Sequence, residues 1–291
     1  MFPVRVGYVL QRSRPRLEIR VARPEDAAEI RRLLTATSRR LAYSEPWEAY
    51  LGRETALTAW LQGRLVGVLV AHVDVRPVAW VRVAALAGGF WIGDWLDQIL
   101  PPLAFGLWRA RARVLAWADL GGWAGGALQR HGFRRSGRLI TFVKEDRRLP
   151  VLPSTPLLLR PAREEEVDAL VRLDRAAFTP PWWLSGRTLR RMIRRSDCFI
   201  VAGWGERCVG YVEGHRIRQN AHIGRLAVAP AFQGQGIGRH LLAEALRRLW
   251  QRGVRRVSLN TQESNRHSQR LYLRFGFRPL GPPIHVWERL L

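Results

Sequence analysis

An apolar strand from His222 to Val228 runs through a glycine-rich turn, Gln233, Gly234, Gln235, Gly236, Ile237 and Gly238, straight into a helical pattern from Arg239 to Trp250. This succession limits the fold more than any other stretch. Glycines at every second position let the backbone turn tightly and aim successive N–H groups at one point, where the following helix adds the positive end of its dipole. An anionic ligand suits such a turn. The Gly-Lys-Ser/Thr ending of a Walker loop is missing, and the glycine spacing is wrong for the dinucleotide fingerprint, which argues against a nucleoside triphosphate or NAD.

Hydrophobic periodicity in residues 151–291 predicts strand 158–160, helix 164–177, a helical stretch 185–195 and strands 198–204, 208–217 and 222–228. Helix 237–252, strand 254–260, helix 265–275 and strand 283–289 complete an α/β arrangement, a mixed sheet with helices on its faces. Asn265, Ser268 and Tyr272 stand at i, i+3 and i+7, on one helical stripe. Asn265 is equally readable as a helix N-cap, and Tyr272 as a packed core ring.

Residues 226–238 resemble motif A of the GCN5-related N-acetyltransferases, a strand followed by Gln/Arg-x-x-Gly-x-Gly/Ala, matched by Gln233, Gly236 and Gly238. Residues 265–277, ending in Gly276 and Phe277, resemble that family's motif B. The resemblance spans about residues 155–291 and implies acetyl-coenzyme A as co-substrate, an amine as acceptor and no metal. It implies that Leu226, Ala227 and Val228 pair with the pantetheine arm and that the amides from Gln233 through Gly234, Gln235, Gly236 and Ile237 to Gly238 hold the pyrophosphate. Asn265 and Ser268 would face the donor, and Tyr272 would protonate the departing thiolate, since a phenol of pKa about 10 can donate without prior ionisation. Around Ala176 to Trp183 the chain is also similar to ribosomal-protein alanine N-acetyltransferases. Their upstream glutamate falls here on Asn220, which cannot act as a base. Glu213 and His222, on neighbouring strands, are the candidates for that role; either can also be an ordinary strand residue, and a water relay remains open.

The chain repeats itself. Arg20 and Arg160 sit in matching Arg-x-Ala-Arg turns before acidic helical starts, and Gly132 and Gly276 in matching glycine-aromatic turns, each pair about 140 positions apart, as for a whole-domain duplication. Two tandem domains of one fold are expected, 1–150 and 151–291, with the linker in the proline-rich run Arg147 to Pro156. The first copy departs where chemistry would occur. Trp91 falls under Gly236 and Gly88 under Gln233, while Leu128, Ala124 and Gly121 fall under Tyr272, Ser268 and Asn265. An indole at position 91 is expected to block a pyrophosphate, and the first half's many tryptophans are expected to serve core and inter-domain packing.

The formal charge is +24, and every one of the 48 basic residues except Lys144 is arginine. A biased proteome and an anionic partner explain this equally well. Arg187, Arg190, Arg191, Arg194 and Arg195 form a basic helical stripe, either a solvated face or a border favouring an acidic acceptor or RNA. Cys198 and Cys208 read as buried, inert thiols. Met1 to Gly7 lack the apolar core of a secretory signal, and Asp94, Asp97, Pro101 and Pro102 interrupt the apolar stretch 88–108, so a cytoplasmic protein without membrane spans is expected. A small-molecule amine, a peptide N-terminus and an aminoacyl-tRNA are all compatible as acceptors. The alternatives are a nucleic-acid or ribosome-binding protein of the same fold and a non-catalytic coenzyme A sensor.

Overall fold

A computed structural model describes residues 14–42, 47–205 and 207–291; Met1 to Gly7, read above for a secretory signal, lie outside them. The first half runs β1 (Glu18–Val21), α1 (Ala27–Ala36), β2 (Arg40–Ala42), β3 (Ala56–Leu61), β4 (Arg64–His72), β5 (Val78–Leu86), α2 (Ile92–Arg109), β6 (Val114–Asp119), α3 (Gly125–Arg130) and β7 (Arg134–Lys144). The second runs β8 (Leu158–Pro161), α4 (Val167–Ala177), α5 (Gly186–Arg195), β9 (Cys198–Trp204), β10 (Arg207–Ile217), β11 (Asn220–Val228), α6 (Ile237–Gln251), β12 (Arg256–Gln262), α7 (Arg266–Arg274), β13 (Arg278–Pro279) and β14 (Ile284–Leu290). The elements expected in the second half are present to within about two residues, with helix 164–177 opening as a 3-10 turn at Glu164–Glu166.

Local chemistry explains the principal helix of each site. Along α6, Ile237, Leu241, Leu242, Ala245, Leu246 and Leu249 recur at helical spacing and are fully buried against the sheet. Glu244 and Arg248 pair on its outer face at 2.8 Å. Gly253, at φ +82°, ends it, and Val254 N–H returns to the Leu249 carbonyl. The repeat is equally visible in backbone detail. Phe133 N–H bonds the Leu128 carbonyl at 3.1 Å and Phe277 N–H bonds the Tyr272 carbonyl at 3.0 Å, closing α3 and α7 in the same way.

The described strands form one mixed sheet in the order β1-β3-β4-β5-β6-β14-β7-β12-β11-β10-β9-β8. The halves exchange their last strands. C-terminal β14 lies between β6 and β7, with Trp287 opposite both Trp117 and Arg135. In return β7 continues onto β12, with Phe142 opposite Leu259. The parallel pairs β5–β6 and β11–β12 occupy corresponding places in the two halves.

Trp47, Trp60, Trp95 and Trp117 are buried, and Trp80 packs on Trp182 of the other half with ring centroids 5.0 Å apart. Trp91 and Trp108 depart from the packing expectation, being 64% and 56% exposed. The apolar stretch 88–108 supplies α2, and no helix among the described residues is long and apolar enough to cross a membrane. Burial pushes the Cys198 thiol up to about 12 and raises that of Cys208, which keeps both as protonated thiols.

Candidate active site

β11 and β12 pair only from Asn220–Ile223 to Arg256–Leu259, then diverge. The register of β10 against β11 shifts at Glu213/Gly214, leaving Gly224 as an extra residue that bends β11 away. Beyond Ile223, β11 keeps β10 on one edge and, among the described residues, carries no strand on the other. A cavity of about 290 Å³ follows that bare edge along Leu226, Ala227 and Val228 and reaches the glycine turn. There Gly234 (φ +80°) and Gly236 (φ +87°) adopt the left-handed conformation that side chains resist, and Gly236 is the N-cap of α6, whose first amides have no side-chain cap. Arg239, Arg270 and Arg274 add positive charge to the wall. The combination fits an extended, amide-containing anion such as coenzyme A.

The remaining turn residues divide. Ile237 and Gly238 line the cavity, Ile237 being otherwise buried, and Gln233 lines it while its side-chain amide donates to the Val228 carbonyl at 3.0 Å. Gln235 points elsewhere, exposed and donating to the Ala231 carbonyl at 3.3 Å.

A second cavity, about 240 Å³, meets the first at Phe178, Leu226, Asn265 and Ser268. Tyr272 and His222 both line it, so of the helical stripe read from sequence Asn265 and Ser268 stand at the junction and Tyr272 on the second cavity. Asn265 is an N-cap: its Oδ1 accepts from Ser268 N–H at 3.0 Å, while its side chain still borders both cavities. Tyr272 is 6% exposed, its ring held between Phe142 and Phe277, and burial pushes its hydroxyl up to about 12 against a lowering hydrogen bond with Ser268. His222 is pushed down to about 4, first by burial and then by His215, with Glu213 opposing; its Nδ1 lies 3.0 Å from Ser258 Oγ. It is therefore neutral at pH 7. Glu213 stands behind this wall. It is buried, accepts from Ser196 Oγ at 2.5 Å, and its Oε2 lies 2.8 Å from where a Cβ would stand on Gly224, a cavity residue. Asn220 is exposed and outside both cavities.

Several residues of the site escaped sequence reasoning. Arg225 lines the second cavity, donating to Asp174 at 2.6 and 2.9 Å and to the Trp182 carbonyl, with its guanidinium 3.5 Å from the Phe178 ring centre. Asp174 is fully buried and also accepts from Tyr211 Oη and Leu184 N–H. The available signal was a charge inside an apolar strand. From the first half, Trp80 and Leu139 line the cavity, and Trp80 Nε1 donates to the Pro181 carbonyl at 3.2 Å. Asp74 accepts from Ser185 N–H and from the Ser185 and Thr188 hydroxyls, tethering the start of α5. In the basic stripe on α5, Arg194 is bidentate to Glu164 at 2.6 and 2.7 Å, and Arg190 lies 4.0 Å from the same carboxylate.

The corresponding cleft of the first half is filled by its own chain. β5 and β6 also pair briefly, Val78–Trp80 with Val114–Ala116, and then part. Into that gap β2 inserts, Arg40, Leu41 and Ala42 pairing with Ala85, Ala84 and Val83. Leu41 is 1% exposed. The Arg39 guanidinium donates to the Ala87 and Phe90 carbonyls of the turn, and Thr37 Oγ1 to that of Leu86. The expected obstruction by Trp91 is corrected here: its indole faces solvent, and the strand edge is taken by β2 instead.

The family model described as the acetyltransferase (GNAT) family matches residues 167–277. An uncharacterised N-acetyltransferase of Methanocaldococcus jannaschii is 31% identical over 123 residues, covering 42% of this chain and 78% of that protein. A [ribosomal protein bS18]-alanine N-acetyltransferase of Haemophilus ducreyi is 27% identical over 117 residues, covering 40% and 79%. Among solved structures, a tandem GNAT protein from the clavulanic acid biosynthesis pathway is similar with a TM-score of 0.65 at 16% identity, over 94% of this chain and 98% of that one; this likeness speaks to the fold alone.

Proposed function

The chain belongs to the GNAT acetyltransferase family, and we propose that its second half, residues 151–291, transfers an acetyl group from acetyl-coenzyme A to an amine in the cytoplasm, with residues 1–150 as a duplicate that does no chemistry. The observation that carries this reading is the bare edge of β11 opening onto the glycine cradle in one cavity, where the first half has the same edge covered by β2.

Leu226, Ala227 and Val228 offer backbone groups to a pantetheine amide, and the amides from Gln233 to Gly238 with the α6 N-terminus hold the pyrophosphate. Acetyl-coenzyme A supplies an activated thioester and leaves as a thiol. Positioning at the junction of the cavities contributes most of the rate, with no covalent enzyme intermediate. Tyr272, protonated at any ordinary pH, donates to the leaving sulfur. The amine proton passes to His222, which lines the acceptor cavity and is neutral, or to Glu213 behind Gly224. The test is calorimetric titration with coenzyme A, followed by a screen of amines and peptides with free-thiol detection. Donor binding with amine-dependent thiol release is expected; donor binding without turnover on any amine would leave a coenzyme A sensor.

A further inference from the structure

The acceptor cavity has a chemical character of its own. Indole, phenyl and phenol rings from Trp80, Trp182, Phe178 and Tyr272, with Leu139, line one part of it, and uncharged polar side chains such as Asn260, Thr261 and Gln262 another. The Trp80 indole is fixed by its bond to the Pro181 carbonyl and by packing on Trp182, whose backbone carbonyl accepts from Arg225 at 2.6 Å. Among the described residues the lining contains no carboxylate, and its one formal charge, Arg225, is matched by Asp174 at 2.6 Å. At about 240 Å³ the space is below the ~300–1,000 Å³ usual for ligand pockets; it shares Leu139, Trp182 and Gln262 with a wider cleft that carries Glu288 and Glu263, the latter paired with Arg138 at 2.6 Å. The whole chain carries +24.

From these observations we infer that the acceptor is a small monoamine carried on an aromatic group, an arylalkylamine, and not a polyamine or an aminoglycoside. This rests on the acetyltransferase reading above. A rigid aromatic wall contributes to affinity through ring contacts that cost little side-chain entropy. A polycation would need carboxylates to replace its water, and the field of the protein repels it on approach. Trp80 thus makes the catalytically silent half a determinant of specificity.

The experiment compares tryptamine, 2-phenylethylamine, isopentylamine, putrescine and spermidine as acceptors for the full chain, by thiol release, alongside calorimetric donor titration. Tryptamine and 2-phenylethylamine should exceed both polyamines in kcat/KM by about a hundredfold and isopentylamine by about tenfold, the range a shaped apolar pocket provides. Trp80→Ala should raise KM for tryptamine about tenfold or more with donor affinity unchanged, and Trp80→Phe, which keeps a ring, should restore most of the loss. Equal or better turnover of polyamines, no turnover of any arylalkylamine by a chain that binds donor, or an unchanged KM in a folded Trp80→Ala would overturn the assignment while leaving donor binding intact. A chain that binds no donor at all refutes the underlying acetyltransferase reading and this inference with it.

Discussion

Tyr272→Phe separates catalysis from folding with unusual clarity, because the structure sets limits on both effects. The ring is wedged between Phe142 and Phe277, with centroids 5.8 and 6.0 Å away, and phenylalanine keeps that packing. What the fold loses is the polar contact of one buried hydroxyl, about 1 kcal/mol at most. What the proposed reaction loses is its proton donor. Positioned general acids contribute about 10²- to 10⁴-fold, equivalent to about 2.7–5.4 kcal/mol of barrier. Since the hydroxyl holds its proton up to about pH 12, the wild-type enzyme should show no alkaline loss attributable to Tyr272 across ordinary assay conditions, and the variant's deficit should be flat with pH. Thiol release at saturating donor and acceptor, checked by single-turnover mixing so that chemistry limits the rate, gives kcat; calorimetry gives donor affinity, and a denaturant melt gives stability. The expected pattern is a large fall in kcat, a KM for acetyl-coenzyme A little changed and a small loss of stability. A kcat within about threefold of wild type would show that another group or water protonates the thiolate, against the range expected of a general acid.

Calorimetry should find one coenzyme A per chain, because β2 covers the first half's strand edge; a stoichiometry of two means β2 yields to the ligand. Asp174→Ala should cost about 3–5 kcal/mol in a denaturant melt, since it strands the Arg225 guanidinium, 10% exposed, without its counter-charge; a loss under about 1 kcal/mol would mean that solvent reaches the pair. His222 should make the fold acid-sensitive: the unfolded chain takes a proton near pH 6.5 and the folded one only near 4, so stability falls as pH drops between those values. From about pH 7.5 to about pH 4.5 wild type should lose on the order of 2–3 kcal/mol more than His222→Gln, and parallel pH profiles of the two would remove His222 as the cause.

The second half was legible because each of its signals is local. Gly234 and Gly236 report a backbone conformation, and Asn265, Ser268 and Tyr272 report a helical face, so both could be placed without knowing any partner. Asp174, Arg225 and Tyr211 could not, since their meaning lies in a contact across three elements that no spacing encodes. The turn in the first half shows the same limit. Counting positions put Trp91 under Gly236 and suggested a steric block, whereas β2 reaches the cleft from far away in sequence and the indole stands in solvent. Glu213 was found by alternation along β10, but its position behind Gly224 depends on a bulge that the alternation does not reveal.

The exchange of β7 and β14 also sets the order in which this protein can be completed. A nascent chain ordinarily folds its first domain while the second is still being made. Here β6 waits for residues 284–290, made well after the rest of the first half, before the strand beside it arrives. Until then the first half presents an open strand edge to every other chain in the cell, the kind of surface on which proteins aggregate. The same exchange binds the halves together: removing residues 1–150 takes β7 from beside β12, so the second half cannot keep its sheet without the first.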